Sequence, residues 1–396
     1  MTETDHAPLA YPFNSSQDLA LSDAYERARD TPGLLRVQLP YGEAAWLATR
    51  YADARLVLGD QRFSRALALE HDEPRASEGR RDSGILSMDP PDHTRLRSLV
   101  AKAFTVRQVE KLRPGIRELT SVLLDEMEAV GPPVDLVDRY ALAIPVAVIC
   151  RLLGVPEEDR PRFRTWSDAA LSTSSLTAEE FDRNREELRA YMGRLITAHR
   201  ERPREDLMTA LIEARDHDDR LSELELVDLC VGILVAGHET TATQIPNFVL
   251  TLLDHPWALA RLRAEPTLIT GAIEELLRFV PLGSGAGQPR YAREDIEVGG
   301  TLVRAGEPVL VAVGAANRDA LRFTAAGTLD IARSGNAHLG FGHGVHHCLG
   351  APLARLELQE AIGALVARFP RLHVAGDITW KTEMLVRGPR VMPVGW

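Results

Sequence analysis

Cysteine is scarce in this chain: three in 396 residues, Cys150, Cys230 and Cys348. So few thiols exclude a disulfide framework and make a reducing compartment, the cytoplasm, the expected home. Long apolar runs are lacking too. No uncharged stretch approaches the ~20 residues that a bilayer-crossing helix needs. The opening Met1-Thr2-Glu3-Thr4-Asp5 has neither the basic nor the apolar region of a secretory leader. Positive charge is in deficit, 46 Lys and Arg against 57 Asp and Glu, a net of -11, which argues against nucleic acid as the main partner. Internal repeats and low-complexity segments are missing. What remains is an ordinary balance, 45% hydrophobic and 26% charged, at a length fit for one large domain or several smaller ones.

The informative part of the sequence is one loop, Gly340-Phe341-Gly342-His343-Gly344-Val345-His346-His347-Cys348-Leu349-Gly350, followed at once by a helix-forming run from Ala351 to Arg368. Four glycines in eleven residues let the backbone take φ > 0 and approach a partner closely. Cys348 falls near a helix N-terminus, where the dipole and free N–H groups favour a thiolate. A thiolate in an amide-lined loop suits a soft or borderline metal as an axial ligand. Two other readings stand at this point, a buried structural cysteine and a zinc site from His343, His346, His347 and Cys348. Adjacent ligands would crowd a tetrahedral zinc shell.

Other patterns are local. Residues 34–49 alternate as β, with Leu35, Val37 and Leu39 on one face, a turn at Pro40-Tyr41-Gly42, and Trp46 in a second apolar run. Asp53 is placed to cap a short helix, and residues 64–83 read as a long polar surface loop. His93 and Arg97 share one helix face at i,i+4. Such a pair suits a carboxylate or phosphate, or simply solvent. Over residues 106–130 the apolar spacing predicts helix, broken in two at Pro114-Gly115. Ala141 to Leu153 reads as an apolar helix closed by Gly154. Thr177-x-x-Glu180 and Ser222-x-x-Glu225 are capping boxes. The second opens the longest apolar helix, about residues 223–254, hydrophobic nearly all round and expected to run through the middle. Within it, Ala236-Gly237-His238-Glu239-Thr240-Thr241 puts a carboxylate and hydroxyls where burial is costly without partners or a task. Ala236 and Gly237 are expected to open a notch beside them, and Pro246 to kink the helix. Glu275 and Arg278 form an i,i+3 pair on a further helix.

These stretches carry a resemblance. Phe-Gly-x-Gly-x-His-x-Cys-x-Gly, running on through Ala351 to Glu357, resembles the haem-ligand loop of the cytochrome P450 family. Ala-Gly-x-Glu-Thr-Thr at 236–241, His93-x-x-x-Arg97 and Glu275-x-x-Arg278 are similar to three more motifs of that family, in the same order. The resemblance implies a mainly α, prism-shaped fold with small β-sheets, a single domain over residues 1–396. It implies haem b with Cys348 as the axial thiolate, shielded by Phe341 and the amides that follow, Gly350 included. His93, Arg97, Arg290 and His346 would contact the haem propionates. Glu239 and Thr240 would bind oxygen and deliver protons, and a Glu275–Arg278 ion pair, with Arg333 as third member, would brace the cysteine loop. Motif offsets place Leu86, Val235, Ala236, Ala286, Gln288 and Leu385 at the substrate pocket.

Tyr11-Pro12-Phe13, Pro281-Leu282-Gly283 and residues 314–319 resemble macrolide-tailoring members of the family. The implied activity is therefore hydroxylation or epoxidation, or both, of a hydrophobic secondary metabolite, first of all a macrolide-type polyketide. Hydroxylation of a steroid, vitamin D or a terpenoid is the alternative, and a non-turnover haem-thiolate sensor is a different class. No flavin or nicotinamide fingerprint is present, so electrons are expected from a ferredoxin and its reductase. Arg95, Arg97, Lys102, Arg107, Lys111 and Arg113 offer a basic docking stretch. The protein is expected to act as a monomer.

Overall fold

The structure, a computed structural model, describes residues 7–79, 84–171, 177–216, 221–285 and 287–396. Helices dominate it. Those that build the site are α1 (Asp92–Ala101), α2 (Arg113–Val130), α3 (Ala143–Leu152), α4 (Arg160–Leu171), α5 (Ala178–Glu201), α6 (Glu223–Asp254), α7 (Ile269–Phe279) and α8 (Ala351–Arg368). Thr177 and Ser222 each accept the N3 amide while Glu180 and Glu225 reach back, so both capping boxes form. Pro114 sits in the first turn of α2, where its missing N–H is no loss. Gly154, at φ 66, ends the segment after α3.

The long helix α6 is the axis of the fold and packs against α3, α5 and α8. Its second half, from His238 to Leu252, is almost wholly buried. Pro246 lies inside it, and the helix runs uninterrupted from Glu223 to Asp254. The main core gathers Ile245, Phe248 and Val249 of α6 with Ile149 of α3 and Leu353, Ile362 and Leu365 of α8.

A six-stranded sheet flanks the helices. Its strands are β1 (Leu9–Ala10), β2 (Leu35–Gln38), β3 (Ala45–Ala48), β4 (Phe63–Ser64), β5 (Arg290–Ala292) and β6 (Pro308–Val311), in the order β1-β2-β3-β6-β5-β4. The predicted hairpin is present, with Leu35 opposite Leu47. Trp46 pairs with Val309 of β6, and Arg290 pairs with the same residue from the other side. Near the end of the chain, β7 (Thr379–Trp380) and β8 (Pro389–Val391) form a ribbon whose connection returns to α6.

Three local expectations are corrected. Asp53 does not cap its helix; it lies buried inside the first turn of Tyr51–Gly59, 3.8 Å from Arg50. The stretch after Ser64 is no free surface loop, because Ser64, Arg65 and Ala68 are buried; residues 80–83 lie outside those described. Gly237 serves packing, since a Cβ there would come within 2.6 Å of Ile149 Cδ1. The notch is left to Ala236 alone, which is exposed.

Candidate functional site

The cysteine loop is built as a tight return. Cys348 N–H donates to Phe341 O at 2.8 Å, and Gly342 and Gly344 adopt φ 73 and 71. A Cβ on Gly344 would lie 2.4 Å from Leu58 O, so only glycine fits against the end of the Tyr51–Gly59 helix. Gly350 is different: a Cβ there would meet no protein atom within 4 Å. The guanidinium of Arg355 lies 4.6 Å from the centre of the Phe341 ring and pairs with Glu274 at 2.7 Å. Arg355 and His338 together hold Glu274 down at about 2.

Cys348 is accessible at the loop surface, yet its sulfur lies deep among protein atoms. Burial pushes the thiol up, while the Gly350 and Ala351 amides and the Arg97 and Arg355 guanidiniums pull it down. Burial outweighs them, so the thiol lies above its ordinary range, although the amides act in the expected direction. A cationic partner at the sulfur is needed to hold the thiolate form.

Beside this loop the fold gathers cationic and donor groups. The His93 and His346 rings stand 4.3 Å apart. His93 Nδ1 and both ring nitrogens of His346 are buried without a hydrogen-bond partner among the described residues. Arg290 is buried, and burial and the neighbouring Arg65 lower it to about 9. Burial and Arg290 hold His346 neutral, near 3. Arg97 donates to His347 O at 2.5 Å. Buried cationic groups are normally paired or hydrogen-bonded, so this cluster fits a dianionic ligand. It fits the propionate edge of a haem, with the amide-ringed cysteine supplying the axial ligand. The zinc alternative fails on geometry: His343 lies against Arg55 at 3.3 Å, His346 tilts against His93, and no three His, Cys, Asp or Glu side chains among the described residues gather to hold a metal ion.

On α6, Thr240 back-bonds to Ala236 O at 3.0 Å and stays partly open. Glu239 is buried and ion-paired with Lys381 Nζ, which also donates to Thr243 at 2.8 Å. Lys381 was invisible to motif reading, being a lone lysine 142 positions from its partner. Glu357 on α8 was named only as part of a motif. It is fully enclosed, burial raises it to about 8, and Thr241 is the polar neighbour that partly offsets the rise.

Glu275 and Arg278 form a fully buried pair at 2.7 Å. Arg278 also donates to the Asn317, Ala326 and Thr328 carbonyls, and Arg333 reaches Glu275 at 3.0 Å. The pocket positions are only loosely gathered. Leu86 is exposed in the turn that packs on α6, Val235 is half-buried, and Gln288 is exposed. Leu385 N–H bonds Leu171 O at the end of α4, and Leu385 O accepts from Ser284. Ala286 lies outside the described residues. The basic stretch largely dissolves: Arg95 pairs with Glu225, Arg113 with Glu110 and Glu360, and Arg97 turns inward.

The family profile described as Cytochrome P450 matches residues 35–386. The chain is 52% identical to the mycinamicin IV hydroxylase/epoxidase of Micromonospora griseorubida, over 99% of this chain and 100% of that one. It is 49% identical to the nocardicin C N-oxygenase of Nocardia uniformis subsp. tsuyamanensis, over 100% of both. The crystal structure of the mixed-function P450 MycG superposes with a TM-score of 0.92 at 52% identity, covering 98% of this chain and 100% of that one.

Proposed function

The chain belongs to the cytochrome P450 family, and from that premise we propose a monooxygenase of secondary metabolism whose first substrate class to test is a macrolide-type polyketide. When bound, haem b supplies dioxygen activation and the transfer of one oxygen atom to substrate, driven by two electrons. Cys348 would hold it through its sulfur, with the Gly350 and Ala351 amides there to temper the donation. Arg290, His93, His346 and Arg97 would hold its carboxylates, replacing the hydration that each gives up. Thr240, released from Ala236 O, would offer its hydroxyl as a hydrogen-bond donor, and Glu239 would pass protons through it. Leu86, Val235, Ala236, Gln288 and Leu385 line the substrate side, where apolar contact and few polar anchors select a hydrophobic ligand.

Bacterial members of the family generally take electrons from a ferredoxin and its reductase. Lys102, Arg107 and Lys111 are the part of the basic stretch that pairs with no described residue, and they are the contact offered to an acidic ferredoxin. One observation carries the reading: an amide-ringed cysteine beside buried Arg290, with His93 Nδ1 and both ring nitrogens of His346 lacking a hydrogen-bond partner among the described residues. Oxidation at nitrogen is a second reading, favoured by the 49% identity to an N-oxygenase.

The test is a panel of macrolides, amine-bearing metabolites, steroids and terpenoids titrated into the holoenzyme while the Soret band is followed. NADPH consumption is then measured with a generic ferredoxin pair. A macrolide that shifts the band and yields an oxygenated product supports the first substrate class. Turnover confined to amines selects the second, and a binder without NADPH consumption overturns both.

A further inference from the structure

Lys381 is one of three lysines in the chain, and it is buried, whereas Lys102 and Lys111 are not. Its Nζ is held by Glu239 and by Thr243 Oγ1 at 2.8 Å, and Thr243 Oγ1 lies 3.4 Å from the same Glu239 oxygen. The acid of α6 is therefore gripped by a residue from the far end of the sequence. An ammonium is a compact charge with three rotatable donors, so it can serve carboxylate and hydroxyl together.

Lys381 also stands at the foot of the turn over residues 382–388. Its own N–H donates to Gly388 O at 2.9 Å, closing that turn. Gly388 sits directly on α6, where a Cβ would come within 2.5 Å of Asn247 Oδ1 and 2.8 Å of Thr243 Cγ2. Asn247 Nδ2 donates to Arg387 O at 2.9 Å. The tip reaches the substrate side: Leu385 bonds Leu171 of α4, Val386 bridges Gly283, and Arg387 N–H donates to Leu282 O at 2.8 Å. One short turn thus touches the acid, the end of α4 and the 281–289 segment.

We propose that Lys381 is the positioning residue for Glu239, latching the 382–388 turn to the acid so that proton supply depends on how that turn is seated. This rests on the role given to Glu239 above. With the turn seated, the ion pair holds the Glu239 side chain against Thr243. A substrate that presses on Leu385 strains the latch and lets Glu239 move toward Thr240, one residue on along the helix.

The test uses the holoenzyme of wild type, Lys381→Met, Lys381→Arg, Glu239→Gln and the double variant Lys381→Met/Glu239→Gln. Removing the ammonium strands a buried carboxylate, which takes up a proton. Infrared difference spectra at neutral pH should then show a protonated-carboxyl C=O band in Lys381→Met. Beyond the constant contribution of protonated Glu357, common to all five proteins, that band should be absent from wild type, Lys381→Arg and the double variant, which loses both charges and so keeps the fold. With a ferredoxin pair, Lys381→Met should lower product per NADPH roughly tenfold and enlarge the solvent isotope effect, with Lys381→Arg recovering most of the loss. If Glu239→Gln couples as well as wild type, the role of the acid fails and the latch falls with it. If Glu239→Gln uncouples while Lys381→Met shows no new band, or shows the band at full coupling, the latch alone is overturned.

Discussion

Thr240 and Glu357 show how single side chains on one helix pair divide the chemistry. Thr240 is partly open and bonded only to the carbonyl one turn back, so its hydroxyl is free to switch partners. Thr240→Ala should lower product per NADPH by roughly tenfold and raise peroxide to match, as measured by product yield and a peroxide assay. Unchanged coupling would remove the proton-delivery role. Glu357 poses a question of stability. Burial raises it to about 8, so it is neutral in the folded protein at neutral pH. In the unfolded chain it ionises near its ordinary value, about 4.3. The unfolded state therefore sheds its proton first, and stability is full below about pH 4 and declines as pH rises toward 8. Glu357→Gln should remove a loss of roughly 2–4 kcal/mol between pH 5 and pH 8. Denaturant unfolding of both proteins at the two pH values checks this, and parallel curves would contradict it. Cys348, His346 and Arg290 were legible in the sequence because the motif is local or keeps fixed offsets. Lys381 was not, because a lone lysine carries no local signal of a partner 142 positions away.

Elements were legible where their rules are local. Both capping boxes and the full extent of α6 follow from spacing, since the cap, the apolar periodicity and the stop all lie within the segment. Ser222→Ala should cost about 1 kcal/mol by denaturant unfolding, the usual worth of an N-cap. The same local logic failed at Asp53, where burial against Arg50 overrode capping, and at Gly237, where contact with α3 decided the residue. Around α7 the buried pair joins distant segments: Glu275 takes bonds from Arg278, Arg333, Asn336 and the Asp330 amide. Arg278→Met removes two bonds to Glu275 and three to backbone carbonyls, and should cost on the order of 3–5 kcal/mol in thermal or denaturant unfolding. Arg333→Ala should cost clearly less, because Arg278 continues to neutralise the carboxylate. Equal losses would mean that the two cations do not differ in role.

At the scale of the whole molecule, the order of elements was legible along the chain, whereas which distant surfaces would meet was not. The cysteine loop, the start of α1 and the first residue of β5 come from three separated parts of the chain. They converge on one cluster of donors whose His93 and His346 ring nitrogens lack partners among the described residues, and that convergence is the central claim in physical form. No helix among the described residues is long and apolar enough to cross a membrane, and α6 packs against α3, α5 and α8. The most direct measurement is the absorption spectrum of the purified protein, reduced and exposed to carbon monoxide, for wild type and Cys348→Ser. The account predicts a coloured wild type with the red-shifted Soret band of a thiolate-ligated carbonyl complex, and loss of that band in the variant. A colourless protein that takes up no haemin, or a variant that keeps the thiolate band, would contradict it.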